Sequence, residues 1–150
     1  MAGGQLVAPV FEDGARWRTI YFPWGQWRRF EGDAPPVQGP GFAEVEAPLE
    51  RIPLYVRQGA AIPRYAQAPQ HLKGPVPQDW ILDISPGTSQ RRLTIPEAGF
   101  QVVIDYTSDA SGSHLQVSPA PIRLKVRLAG VQDSRPIAGV DASDGVDFRF

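Results

Sequence analysis

Few residues in this 150-residue sequence could carry nucleophilic or metal chemistry. There is no cysteine, which excludes disulfides, iron–sulfur clusters and thiolate zinc sites. A Ser–His–acid arrangement would need His71, in a proline-containing stretch, or His114, at the start of a strand. The turn Ser111–Ser113 lacks the strand-to-helix context of a nucleophilic serine, and the sequence has no P-loop, H-E-x-x-H or dinucleotide motif. We therefore expect no catalytic residue, no metal and no cofactor.

Paired carboxylates are the remaining route to catalysis, since glycoside hydrolysis needs two acids about 5–10 Å apart. Three pairs are close in sequence: Glu12 with Asp13, Glu44 with Glu46, and Asp105 with Asp109. Residues two apart on a strand share a face at a spacing of about 7 Å, so Glu44 and Glu46 fit in distance. An exposed strand face does not separate two pKa values, however, and we interpret this pair as a solvated face.

Two charged segments suggest ion or nucleic-acid binding, and both have a simpler interpretation. The run from Asp141 to Asp147 lacks the terminal Glu of a calcium loop and is better explained as a polar turn. Arg123, Lys125 and Arg127 alternate with apolar residues, which predicts a strand with one face in water. Because the formal net charge is only −1, we expect no nucleic-acid partner.

A cluster of aromatic residues is the most unusual local feature. Three interpretations stay open: the rings fill a core, contact another domain, or stack on a sugar. The start of this cluster is apolar on both faces of its predicted strand. Such a strand is normally covered on both faces by other parts of a protein. The cluster falls within fourteen residues and consists of Trp17, Tyr21, Phe22, Trp24, Trp27 and Phe30.

The elements that position these residues are predicted to be strands. With 15 glycines and 16 prolines, long helices are excluded. Short β-type runs recur between turn signals, and in one of them Phe100, Val102, Ile104 and Tyr106 share a face. The sequence predicts an all-β fold of two consecutive small antiparallel β-sandwich units, residues 1–64 and 80–150, joined by a Pro/Gly-containing connector over 65–79. A second proline-rich stretch, Gly32 to Gly41, is predicted to be an exposed loop.

The apolar runs are too short for a membrane helix, which needs about 20 apolar residues. Met1 is followed by no basic and apolar leader, so we expect a soluble, cytoplasmic chain with no membrane partner.

Residues 5–63 resemble the region that follows the catalytic barrel in family 31 glycoside hydrolases, which include α-glucosidases and α-xylosidases. The resemblance is carried, in order and with matching spacing, by LVAPVFEDGAR at 6–16, TIYFP at 19–23, GQW at 25–27, Phe30, Gly32, and APLERIPLYVRQGAAIP at 47–63. It implies a proximal C-terminal β-sandwich, with residues 80–150 in the place of the distal one. The two catalytic aspartates of the family lie on a (β/α)₈ barrel, and nothing here matches their motifs.

The resemblance implies a non-catalytic part of an α-glucosidase-like enzyme whose partner is the barrel and whose ligands are α-linked glucosides. The chain alone is expected to be inactive, and an uncovered docking surface could cause self-association. Trp17, Trp24, Trp27 and Phe30 are the candidate ligand or inter-domain contacts. The alternative is a free-standing carbohydrate-binding module that uses Trp24 or Trp27.

Overall fold

The computed structural model describes residues 4–32, 34–69, 74–129 and 138–149, and these ranges contain strands and no helix. The all-β prediction is confirmed, and no described segment is a helix able to cross a membrane. The strands are β1 (Gln5–Val7), β2 (Trp17–Arg29), β3 (Val37–Glu46), β4 (Leu54–Arg57), β5 (Ala61–Tyr65), β6 (Asp79–Ile84), β7 (Ser89–Glu97), β8 (Phe100–Asp109), β9 (Gly112–Val117), β10 (Arg123–Leu128), β11 (Ala138–Asp141) and β12 (Val146–Arg149).

The first unit is one four-stranded sheet that folds over on itself. Its strand order is β1-β4-β2-β3, and the pairing of β2 with β3 shifts between Phe22 and Gly25. The two halves of the sheet face each other, because the ring of Phe22 lies 4.9 Å from that of Tyr55, and Arg29 donates from Nη2 to the carbonyl of Glu46 at 3.2 Å. One sheet therefore supplies both layers around a small core. We name the half containing Trp17–Phe22 the first layer, and the half containing Trp27–Arg29 and β4 the second layer.

Strand β3 includes residues 37–41, which the sequence analysis assigned to an exposed loop. Val37 pairs with Trp27, and the strand continues through Gly39, Pro40 and Gly41. Proline lacks the backbone N–H that a central strand needs for hydrogen bonds to its neighbours, but an edge strand can accommodate it. β3 lies at the edge of its sheet, so Pro40 is tolerated there and the loop ends earlier than predicted.

The second unit is a sandwich of two four-stranded sheets, β11-β10-β6-β5 and β12-β9-β8-β7. Pairing is antiparallel except between β6 and β10, which run parallel. The predicted common face of β8 is confirmed, since Val102, Ile104 and Tyr106 are fully buried and Phe100 packs on the same core. Tyr65 on β5 donates to Glu97 on β7 at 2.7 Å, a bond that ties the two sheets together and raises the pKa of the tyrosine hydroxyl.

The chain passes from one unit to the other at residues 58–60. Gly59 donates to Ser85 and Ser85 donates to Ala60, each at 2.8 Å. β5 pairs antiparallel with β6 inside the second sandwich, so the predicted connector over 65–79 does not separate the two units. A separate apolar cluster joins the units and consists of Val56, Ala60, Ile62, Ala129 and Phe30.

Candidate interaction surface on the first layer

An exposed aromatic face covers the outer side of the first layer. Tyr21 on β2 pairs with Phe42 on β3, and their rings lie 5.1 Å apart at 60°. Trp17 lies on the same face, four residues before Tyr21. The side chains are 58% (Trp17), 51% (Tyr21) and 76% (Phe42) exposed. We call Trp17, Tyr21 and Phe42 the aromatic face.

Local sequence explains this arrangement. Side chains alternate along β2, so Ile20 and Phe22 enter the core while Tyr21 points outward. The second layer turns its own outer side toward the second unit through Val56 and Phe30. The aromatic face therefore lies on the side of the first unit that is opposite the second sandwich.

The four predicted contact residues have different surroundings. Trp17 belongs to the aromatic face, and Trp24 lies where the pairing of β2 with β3 shifts and is 73% exposed. Trp27 is only 2% exposed, packs in the first core, and donates from Nε1 to the carbonyl of Pro23 at 2.8 Å. Phe30 packs at the junction of the two units. Of the four, Trp17 and Trp24 are therefore exposed, Phe30 is half-buried and Trp27 is buried.

Two of the three candidate carboxylate pairs include residues with ordinary surface surroundings. Glu44 and Glu46 are exposed on β3 and pair with Thr19 and Trp17, so they border the aromatic face. Asp105 lies 3.6 Å from Arg92 across two strands.

The remaining candidates for chemistry have local structural partners. Asp109 accepts from the backbone N–H of Ser111 at 2.7 Å, and the hydrogen bonds from Ser111 lower the pKa of this carboxyl. His114 Nε2 lies 2.6 Å from Asp147, between β9 and β12. His71 lies outside the described residues. In the ranges that are described, no three potential metal ligands come together.

Two charged segments have the local structure expected of them. Asp141 accepts from the backbone N–H of Ser143 at 3.0 Å, which is the geometry of a polar turn and lowers the pKa of Asp141. On β10, Leu124 and Val126 are fully buried while Arg123 and Lys125 are exposed. Arg123 donates to Asp79 on the parallel neighbour β6 at 2.7 Å. Both segments therefore have structural explanations.

Sequence reasoning did not select Tyr21 or Phe42 as contact residues. Phe42 lies between the predicted loop, Gly32 to Gly41, and a short β-type run that begins at Ala43, and the sequence analysis assigned it to neither. Its signal was the alternation of Phe42, Glu44 and Glu46 with the core side chain Val45. Extending that strand by one residue would have placed Phe42 beside Tyr21.

The fold and this surface define a class: a β-sandwich region of two units whose first unit carries an uncovered aromatic face. Residues 1–62 match the glycosyl hydrolase family 31 C-terminal domain. The resemblance seen in the sequence is confirmed over these residues.

Solved structures extend the likeness in fold to the second unit. A family 31 dextranase from Flavobacterium johnsoniae is 22% identical, with a TM-score of 0.71 over 84% of this chain. A family 31 α-xylosidase from Xanthomonas citri is also 22% identical, with a TM-score of 0.71 over 96% of this chain. A cycloalternan-forming enzyme from Listeria monocytogenes is 16% identical, with a TM-score of 0.66 over 83%. This chain spans 18%, 18% and 13% of those proteins, respectively.

Proposed function

We propose that this chain is the non-catalytic C-terminal portion of an α-glucosidase-like hydrolase and packs against a catalytic (β/α)₈ barrel through the aromatic face. The observation that supports this most directly is the distribution of exposed apolar side chains. Within the described ranges, all of the large ones lie in the first unit. They are Val7, Phe11, Trp17, Tyr21, Trp24, Phe42, Leu49 and Ile52.

The size of the aromatic face suits a protein partner. A buried aromatic side chain covers about 150–250 Å², so the three rings at their observed exposures present roughly 350 Å². Patches of about 300–600 Å² on monomers are commonly functional. At about 25 cal/mol per Å², covering this face would contribute roughly 9 kcal/mol. Association itself costs about 4–15 kcal/mol, so a stable complex needs further contacts around the rings.

The direct test of docking uses a catalytic (β/α)₈ barrel of family 31 from the same genome as this chain. When the two are co-expressed, this chain is expected to co-purify with the barrel. The soluble yield of the barrel and the barrel's hydrolysis of α-linked glucosides should both rise. Phe42→Glu should abolish co-purification, because it replaces the most exposed of the three rings with a charge that docking would bury. Thr107→Lys, an exposed change in the second sandwich, serves as the control. A barrel that is equally soluble and active without this chain would contradict the proposal.

Without a partner, the aromatic face should cause weak self-association. Two copies face to face would bury roughly 700 Å² of ring surface, less than the about 1,200 Å² of a stable interface. Sedimentation should therefore show a monomer that dimerises only at high protein concentration, and Tyr21→Lys should remove the dimer. Dimerisation that persists in Tyr21→Lys would place the contact elsewhere.

Two separate measurements address activity and the alternative module. The purified chain is expected to release no nitrophenol from an aryl α-glucoside, and measurable release would overturn the non-catalytic assignment.

A carbohydrate-binding module would have to use Trp24 rather than the buried Trp27. Quenching of tryptophan fluorescence by maltose-type sugars that disappears in Trp24→Ala would favour that module. The cytoplasmic location stays a prediction.

A further inference from the structure

A groove lined by charges of both signs lies at one end of the first unit, beside the point where Arg29 joins the two layers. It consists of two adjoining depressions that share Arg29, Glu31, Glu50 and Arg51. Phe30 and Ile52 supply apolar surface to one of them. We call these six residues the charged groove.

The charged groups of the groove have few partners within the protein. Arg29 donates to the backbone carbonyl of Glu46 at 3.2 Å. Ion pairs of the described residues are found at Arg64–Asp83, Arg92–Asp105, His114–Asp147 and Arg123–Asp79, and none of them involves a groove residue. Two guanidinium groups and two carboxylates therefore line the groove with hydrogen-bonding capacity to spare.

The balance of charge identifies the chemical class of the ligand. A polyanion would be attracted by Arg29 and Arg51 but repelled by Glu31 and Glu50. A polycation would be attracted by the two glutamates but repelled by the two arginines. A neutral polyhydroxylated molecule satisfies both signs, because each hydroxyl can donate to a carboxylate and accept from a guanidinium. The apolar surface of Phe30 and Ile52 suits the C–H face of a sugar ring.

We propose that the charged groove binds a neutral oligosaccharide. None of its residues belongs to the aromatic face, so the proposal does not rest on docking to a barrel. Binding a loop of a protein partner is the competing use of such a groove, and the test separates the two.

The test titrates the full-length, ¹⁵N-labelled chain with maltotriose and isomaltotriose, and with trigalacturonate and chitotriosamine as charged trisaccharides. We expect saturable shifts at residues 29–31 and 50–52 with at least one neutral sugar. The charged probes should bind at least tenfold more weakly. Arg51→Gln and Glu50→Gln should each weaken binding of the neutral sugar about tenfold, as expected for loss of a charge-assisted hydrogen bond of about 1.4 kcal/mol.

Arg92→Gln, an exposed change on β7, is the matched control and should bind the sugar as the unmodified chain does. The two groove variants replace exposed side chains, so their spectra should keep the dispersion of a folded protein. The proposal would be overturned if neither neutral sugar gave saturable shifts up to its solubility limit. Equal binding of a charged trisaccharide, unchanged binding in both groove variants, or shifts confined to Trp17 and Trp24 would also overturn it.

Discussion

Substituting Gly59 should reveal how strongly the two units depend on each other. Gly59 has φ +75°, and a Cβ added there would lie 2.9 Å from Cβ of Ser89 and 3.1 Å from the carbonyl of Thr88. A non-glycine residue in this conformation costs about 1–2 kcal/mol, and overpacking against the second unit adds about 1–3 kcal/mol. Gly59→Ala should therefore lower the free energy of unfolding by roughly 2–5 kcal/mol.

Gly14 provides the matched control, because its φ of +72° is nearly the same and a Cβ there would have no neighbour within 4 Å. Gly14→Ala should cost only the conformational part, about 1–2 kcal/mol. Urea unfolding followed by circular dichroism measures both variants. We expect Gly59→Ala to be the less stable by at least about 1 kcal/mol, and to unfold in two steps if the units separate. Equal losses in the two variants would refute the idea that the junction is tightly packed.

Further predictions concern the first core and one surface turn. Phe22→Ala should destabilise the protein by about 3–5 kcal/mol because it empties a fully buried site, whereas Trp24→Ala should change the free energy of unfolding by less than about 0.5 kcal/mol; thermal unfolding compares them. Hydrogen bonds from Ser111 lower the pKa of Asp109 in the folded state, so their stabilising effect is present above the ordinary pKa of aspartate and is lost as the pH falls through the lowered value. Unfolding of Asp109→Asn should accordingly depend less on pH below about 4, and an unchanged pH dependence would contradict this assignment.

The strands could be predicted from sequence because their signals are local. In β8, alternation identified the buried face formed by Val102, Ile104 and Tyr106. The glycines and prolines excluded long helices, and the motifs around residues 6–63 identified the region. These features require only the residue types and their spacing.

The arrangement of the strands depends on contacts that are distant in sequence. The fold-over of the first sheet follows from the register shift in β2 and the contact of Phe22 with Tyr55, which no local pattern encodes. β5 follows β4 after three residues, yet it pairs with β6 of the second sandwich. The aromatic cluster could be located in the sequence, but whether Trp27 or Trp17 was buried depended on this bend.

Ala61 and Ile62 are neighbours in the chain that serve two different cores. Ala61 packs inside the second sandwich, while Ile62 packs at the junction with the first unit. Side chains alternate along a strand, so moving β5 by one residue would exchange these two positions. In related sequences, the segment from Arg57 to Ile62 should therefore accept changes of residue type far more readily than insertions or deletions.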